Sequence, residues 1–424
     1  MKVLWLSHFI PYPPKGGAHQ RSYHLLRQIA LRNEVSLIAF NRPAVEPDLL
    51  DRYGSELRRF CAQVEFWDLP VPWMSVGWWA RLGLSPLYRM PYSCRSYWSR
   101  SIAQRWQAAL QSHPEAIVHI DSSDLGMFAD AAPGRAIVLN HHNCESAMTL
   151  RRARLESNLL KKAYLAEQGR KHVRLEARLC RQVAANTVVS ADDGDLLRRE
   201  CPQAHIHVVE NGTDTSYFAP DPTAIEPNSV VFAASLNWYP NWSAIRFFGR
   251  DIWPLIKAKS PGVRFYLVGQ KPTEWIVDWA ASDPQVTLVP SPDDIRPWIA
   301  KGAVFVCPII DGGGTRLKIL DAMAMGKTVV STTVGCEGLR VQAGVNILVA
   351  DQPEELATQT LQALNDAGLR TRISAAARQL MEDEYSWESI AVRLEEAYQC
   401  ASGGECTLRP ALRTPPFDPQ NQPE

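Results

Sequence analysis

The sequence predicts an α/β chain built from two doubly wound, parallel-sheet domains. Residues 3–7 form a short, mostly apolar run read as a buried strand, followed by a proline- and glycine-rich loop, a helical pattern and a second, mostly apolar run at 35–40. The same order returns from 230–234 onward, after a polar, proline-rich stretch at 219–228. A third instance, at 303–331, sets a buried strand against three glycines, a helix and another strand. Strands alternating with helices specify parallel pairing, and short apolar runs between turn signals are those of buried strands.

A chain of 424 residues is long enough for two cores. Apolar residues make up 46% and charged ones 21%, which places it among globular proteins. Lys+Arg and Asp+Glu both number 45, so no global charge draws it to nucleic acid. The nine cysteines show no CxxC or His-paired spacing and are expected as reduced thiols rather than a zinc site. The N-terminus lacks the apolar core of a signal peptide, and no run approaches the roughly 20 residues of a membrane span. A cytoplasmic location is expected, with membrane association at the inner face left open.

In the first half, Gly16 and Gly17 follow the first strand, without the GxGxxG spacing or the acidic residue of a dinucleotide site. A helix follows with apolar positions at Tyr23, Leu26, Ala30 and Leu31. The segment 73–106 interleaves Trp73, Trp78, Trp79, Tyr88, Tyr92, Tyr97, Trp98 and Trp106 with Arg81, Arg89, Arg95, Arg100 and Arg105. That mixture suits a membrane interface or a lipid-linked or sugar acceptor; a core helix pair with snorkelling arginines is the alternative. Strands at 116–120 and 136–139 place Asp121 and His142 at the carboxyl rim of the sheet, where open α/β folds bind ligands. A basic helical region spans 148–185, a solvated face or a surface for anionic lipid or a phosphorylated acceptor. Strands at 187–190 and 207–210 complete the half. Asp193-Gly194-Asp195 matches a metal-binding DxD, but the sequence from Ser190 to Asp193 fits a helix cap, so no metal is expected.

The second half opens with the strand 230–234 and a turn at 235–241 containing Asn237. A strand at 264–268 ends on Gly269, and another lies at 286–289. The strand 303–308 then runs into Asp311, Gly312, Gly313, Gly314, Thr315, Arg316 and Lys318. Bare glycine backbone, helix N–H groups and two cations make an anion cradle suited to a phosphate or diphosphate. A strand at 328–331 follows, then helices at 354–376 and 387–401. The expected division is 1–212, 213–386, a helix at about 387–402 returning to the first domain, and a disordered tail at 403–424.

These motifs resemble the GT-B glycosyltransferases, specifically the retaining family-4 group. His142-Asn143-Cys144-Glu145-Ser146 is similar to its His-Asn-x-Glu-Ser segment, and Glu210-Asn211-Gly212-Thr213-Asp214 to its interdomain junction. The stretch from Gly312 to Ala324 is similar to its Gly-x-Gly-x-Arg-x-Lys branch. Trp238-Tyr239-Pro240-Asn241 resembles a turn of exopolysaccharide-associated sugar transferases. In this chain the first of the family's two glutamates falls on Gly313, and the second is Asp321.

The resemblance implies two Rossmann-like domains facing a central cleft. It implies retaining transfer of a sugar from a nucleotide diphosphate sugar, without metal or other cofactor, to a glycan or lipid-linked acceptor. Arg316 and Lys318 would stabilise the leaving diphosphate, and His142 would line the sugar site. Gly16, Gly17, Asn237, Gly269, Gly312, Gly313, Gly314, Thr315 and Asp321 would hold the donor, Asp321 through ribose hydroxyls. Asp121, Arg21 and Asp311 are acceptor-side candidates. Membrane contact would run through 73–106, and no nucleic acid is expected as a partner. Rival functions are a non-transferring nucleotide-sugar epimerase of the same fold and an inactive nucleotide-sugar-binding module.

Overall fold

A computed structural model describes residues 1–42, 44–71, 75–221, 224–311 and 315–404. The chain divides into two compact units. One comprises Met1–Glu210 with the described chain from Ile390 on, and the other Asn211–Ser389. Gly312, Gly313, Gly314, Trp73 and the tail beyond residue 404 lie outside the described residues.

In the first unit the strands are β1 (Lys2–Ser7), β2 (Glu34–Asn41), β3 (Gln63–Asp68), β4 (Ile117–Ile120), β5 (Ile137–His141), β6 (Ala185–Val188) and β7 (Ile206–Val208). They form one parallel sheet in the order β3-β2-β1-β4-β5-β6-β7. Strand order reverses at β1, so the gap between the carboxyl ends of β1 and β4 is a ligand site by topology. The second unit has β8 (Glu226–Ala233), β9 (Arg264–Gly269), β10 (Val286–Pro290), β11 (Gly302–Cys307), β12 (Thr328–Ser331) and β13 (Leu348–Val349). Its parallel order, β10-β9-β8-β11-β12-β13, puts the corresponding reversal between β8 and β11.

Both sheets are buried on two faces, which is why their strands read as continuous apolar runs. Along β8, Val230 and Phe232 enter one apolar cluster while Val231 and Ala233 enter the other, following the period of two. Strands β3 and β13 escaped the sequence reading. β3 carries Gln63, Glu65 and Asp68 on its exposed positions, and β13 is only two residues long.

Several expected helices differ in detail. Helix Gly17–Ala30 buries Ser22, Leu25, Leu26 and Ile29, whereas Leu31 is 69% exposed. The basic region is two helices, Glu145–Leu155 and Leu159–Gln182, restarted by Asn158, whose side chain accepts from the Lys161 amide. In the same way Asp366 caps a new helix, dividing the expected 354–376 span into Pro353–Asn365 and Ala367–Glu384. The aromatic–arginine segment also divides. Tyr97 and Trp106 are fully buried in the first unit's core, with Arg105 over the Trp67 ring at 4.6 Å, while helix Val76–Gly83 buries nothing. A membrane face running over the whole of 73–106 is therefore corrected to its first half at most. Helix Trp387–Ala401 packs through Tyr398, whose hydroxyl lies 2.9 Å from His119 Nδ1. Among the described residues seven cysteines carry free thiols, Cys61, Cys94, Cys144, Cys180, Cys201, Cys307 and Cys336.

Candidate active site

At the reversal point of the first sheet, Asp121 follows β4 and is completely buried. Its carboxylate accepts from Ser22 Oγ at 2.5 Å, Asn140 Nδ2 at 2.9 Å and Ser7 Oγ at 3.5 Å. His142 Nε2 lies 3.3 Å from Oδ1, and His119 Nε2 lies 3.7 Å away. Burial alone would raise the Asp121 pKa, but the surrounding histidines and hydrogen bonds outweigh it and hold the carboxyl well below its ordinary range. His142 keeps 11% of its side chain exposed, so it is the part of this network that reaches the surface.

Arg21, expected to face an acceptor, is instead 1% exposed. Its guanidinium donates to the Glu210 carbonyl at 2.8 Å and to Asn140 Oδ1 at 3.0 Å. It holds the floor of the site together, and its buried position removes it from acceptor contact. Asp121 likewise lies beneath the surface, bonded to protein groups. Gly16 adopts φ 98° and caps helix Gly17–Ala30 with no side chain, a conformation that favours glycine and leaves the helix N-terminus bare. His8, one residue past β1, was missed by the sequence reading. Its ring sits 5.3 Å from that of His142, and burial with nearby positive charge lowers its pKa to about 3. His8, Asp121 and His142 bring ligand-type atoms within 4.8 Å of one another.

The second cluster occupies the reversal point of the other sheet. Helix Leu317–Ala324 follows β11, with Arg316 at its N-cap and no side-chain cap. Arg316 is 7% exposed. Lys318 places its ammonium 5.0 Å from the Phe232 ring and donates to Asn241 Oδ1. Burial, reinforced by Arg316, lowers the Lys318 pKa to about 8. Thr315 Oγ1 is buried with no hydrogen-bond partner among the described residues, which leaves a polar atom for a ligand to satisfy.

Asp321 is turned inward. It is 6% exposed, accepts from Thr213 Oγ1 at 2.8 Å, and burial raises its pKa to about 7. Asp311 is half-buried, and Asn237 is exposed with Oδ1 accepting from Ser235 Oγ at 2.9 Å. Gly269 has a structural reason: at φ 153°, an added Cβ would lie 1.7 Å from the Ala234 carbonyl oxygen. Asn241 was missed as a site residue, although the Trp-Tyr-Pro-Asn turn pointed to it. That turn is the first turn of helix Tyr239–Phe247, with proline at a position where no N–H is needed.

Two parallel Rossmann-like sheets, each with a polar cluster at its reversal point, define the GT-B class of glycosyltransferases. Residues 15–217 match the model of Glycosyltransferase Family 4, and residues 227–366 match that of Glycosyl transferases group 1. The chain is a glycosyltransferase of this family. UDP-bound HepE of Anabaena is 16% identical with a TM-score of 0.66, covering 94% of this chain and 100% of its own. Sucrose-phosphate synthase of Thermosynechococcus elongatus gives 15% identity and a TM-score of 0.68, over 95% and 100%. At these identities the likeness speaks for the fold. An uncharacterized 44.6 kDa protein from the cps region of Klebsiella pneumoniae is 25% identical over 134 residues. That match covers 29% of this chain and only 34% of the relative.

Proposed function

We propose that this protein transfers a sugar from a nucleotide diphosphate sugar to a glycan or lipid-linked acceptor, with retention at the anomeric carbon and without a metal. The observation that carries this reading is the pairing of Arg316 and Lys318 at an uncapped helix N-terminus, beside the unsatisfied Thr315 hydroxyl. As the glycosidic bond breaks, negative charge builds on the β-phosphate. Fixed cations and backbone N–H groups stabilise that charge without reorganising, the role a metal fills elsewhere. In this reading 213–386 is the donor domain and 1–212 the acceptor-side domain. His142 orients the transferred sugar, held by Asp121 from below. The acceptor hydroxyl approaches the face the leaving group departs from, and the leaving phosphate takes its proton. Asp311 is a candidate on the acceptor side.

The UDP bound to the Anabaena neighbour supports a uridine nucleotide as the first donor to try. The cps-region relative supports exopolysaccharide or envelope glycan synthesis. A thermal-shift screen with UDP, GDP and ADP, followed by an assay for nucleoside diphosphate release with UDP-sugars and polyprenyl-phosphate sugars, tests the reading. Stabilisation by a nucleoside diphosphate and acceptor-dependent release are expected, both insensitive to chelator. Conversion of the donor sugar without acceptor would instead make the protein an epimerase.

A further inference from the structure

Helix Val76–Gly83 carries Val76 at 87% exposure and Trp79 at 54%, and the chain then exposes Leu84 (49%) and Leu87 (79%). A second group of exposed leucines lies at the tip of the helical hairpin: Leu155 (67%), Leu159 (79%) and Leu160 (85%). Large apolar side chains so far into solvent are normal singly and informative in groups.

The two groups are joined. Ser85 Oγ lies 3.0 Å from the Tyr164 hydroxyl, the Ser85 carbonyl accepts from Lys171 Nζ at 2.8 Å, and Gln168 Oε1 accepts from the Tyr92 amide at 2.9 Å. Leu160, Tyr164, Gln168 and Lys171 follow the helical spacing of one stripe, so Leu160 lies on the face that holds the 84–87 segment. It sits one turn, about 6 Å, beyond Tyr164.

We propose that this tip, Leu155, Leu159 and Leu160 together with 76–87, inserts into the surface of a bilayer containing anionic phospholipid. The charges around it select that occupant. Arg151, Arg152, Arg154, Lys161 and Lys162 flank the leucines and are all exposed, while the acid between them, Glu156, is engaged by Lys161 at 2.6 Å. Basic side chains beside exposed leucines and a tryptophan match headgroup phosphates above acyl chains. A second copy is disfavoured, because a two-fold contact would set these cations against one another. No described helix is long and apolar enough to cross a membrane, so the contact is peripheral. The inference deepens the lipid-linked acceptor reading by bringing the first unit to the surface where such an acceptor resides.

The test uses the full chain, without donor, in co-sedimentation with vesicles of phosphatidylcholine alone or mixed with phosphatidylglycerol. Binding to the mixed vesicles only, weakened by added salt, is expected. The doubly substituted L159E/L160E protein should bind at least about tenfold more weakly, and R152E/R154E/K162E should lose the preference for phosphatidylglycerol. At 79% and 85% exposure the leucine substitutions leave the fold intact, which unchanged circular dichroism and UDP thermal shift would verify. Equal binding to both vesicles, no binding, or full binding by L159E/L160E overturns the proposal. A concentration-dependent dimer that L159E/L160E abolishes would also overturn it. Failure of the transfer reading shows separately, as absent nucleoside diphosphate release with vesicle binding retained.

Discussion

The ammonium of Lys318 donates to Oδ1 of Asn241, a residue 77 positions earlier, and Asn241 in turn donates to the Ser235 carbonyl at 2.7 Å. The first residue opens the helix after β11 and the second the helix after β8, the two strands at the reversal point. Among the described residues Lys318 makes no ion pair. It is therefore aimed by a neutral amide that leaves its charge available to an anion, and burial makes that charge costly until one arrives.

Donor affinity should consequently depend on pH. A bound diphosphate keeps Lys318 protonated, whereas the free protein releases that proton near pH 8. The donor Kd is expected to stay flat below about pH 8 and to weaken above it, approaching tenfold per pH unit. Asn241→Ala removes the acceptor that favours the ammonium and should move the break to lower pH. Asn241→Asp adds an opposite charge and should move it higher. Calorimetric titration of UDP across pH 6 to 10 reads all three.

Removing the cation should separate function from stability. The Lys318 pKa is lowered from 10.5 to about 8, so its burial destabilises the fold fully below pH 8 and not at all above its unfolded value. Lys318→Met is expected to raise stability at pH 7 by about 1–2 kcal/mol and to lose that advantage by pH 11. Transfer should fall by two orders of magnitude or more, as it should for Arg316→Ala. Denaturant unfolding at both pH values, with single-turnover kinetics, checks the pair.

The doubly wound fold was legible because parallel strands buried on both faces leave apolar runs, and eleven of these were visible from 3–7 to 328–331. Residue placement within the sites was not. Arg21 and Asp121 are charged residues near loops, and composition cannot reveal that each is enclosed by partners such as Asn140 and Ser22, brought in from distant strands and helices. The aromatic–arginine segment misled for the opposite reason. Tyr97 and Trp106 point into the core while Trp79 points out, and irregular short helices give no steady period by which to tell them apart.

Asp321 offers a stability test of the opposite sign in pH. Its pKa is raised from 3.8 to about 7, so the folded state favours the protonated carboxyl. The cost of ionising it is absent below pH 4, grows through the interval and is complete above pH 7. Asp321→Asn retains an oxygen for the Thr213 hydroxyl and removes the charge. Urea unfolding should show equal stability at pH 4 and a gain of roughly 1–3 kcal/mol for the variant at pH 8. Thr213→Val, which strips the hydroxyl that steadies the carboxylate, should move the loss to lower stability at pH 8 while sparing pH 4.

The Asp121–His142 contact in the first unit predicts two different kinds of damage. The Asp121 carboxyl is held well below its ordinary pKa, so it contributes stability that is present above about pH 4 and fades as pH falls further. Asp121→Asn leaves the Ser22, Ser7 and histidine groups around an amide that cannot accept from all of them. It should cost about 2–4 kcal/mol at pH 7 and progressively less in acid. His142→Ala removes a mostly buried side chain and one of the contacts that offsets the burial of Asp121, so it should cost about 1–3 kcal/mol of stability at pH 7, while lowering kcat about 10- to 100-fold with little effect on the Kd for UDP. If Asp121 acts by aiming His142, Asp121→Asn adds little further loss of kcat in the His142→Ala background, and the double-variant cycle shows strong coupling. Additive losses would mean that the two side chains serve transfer independently.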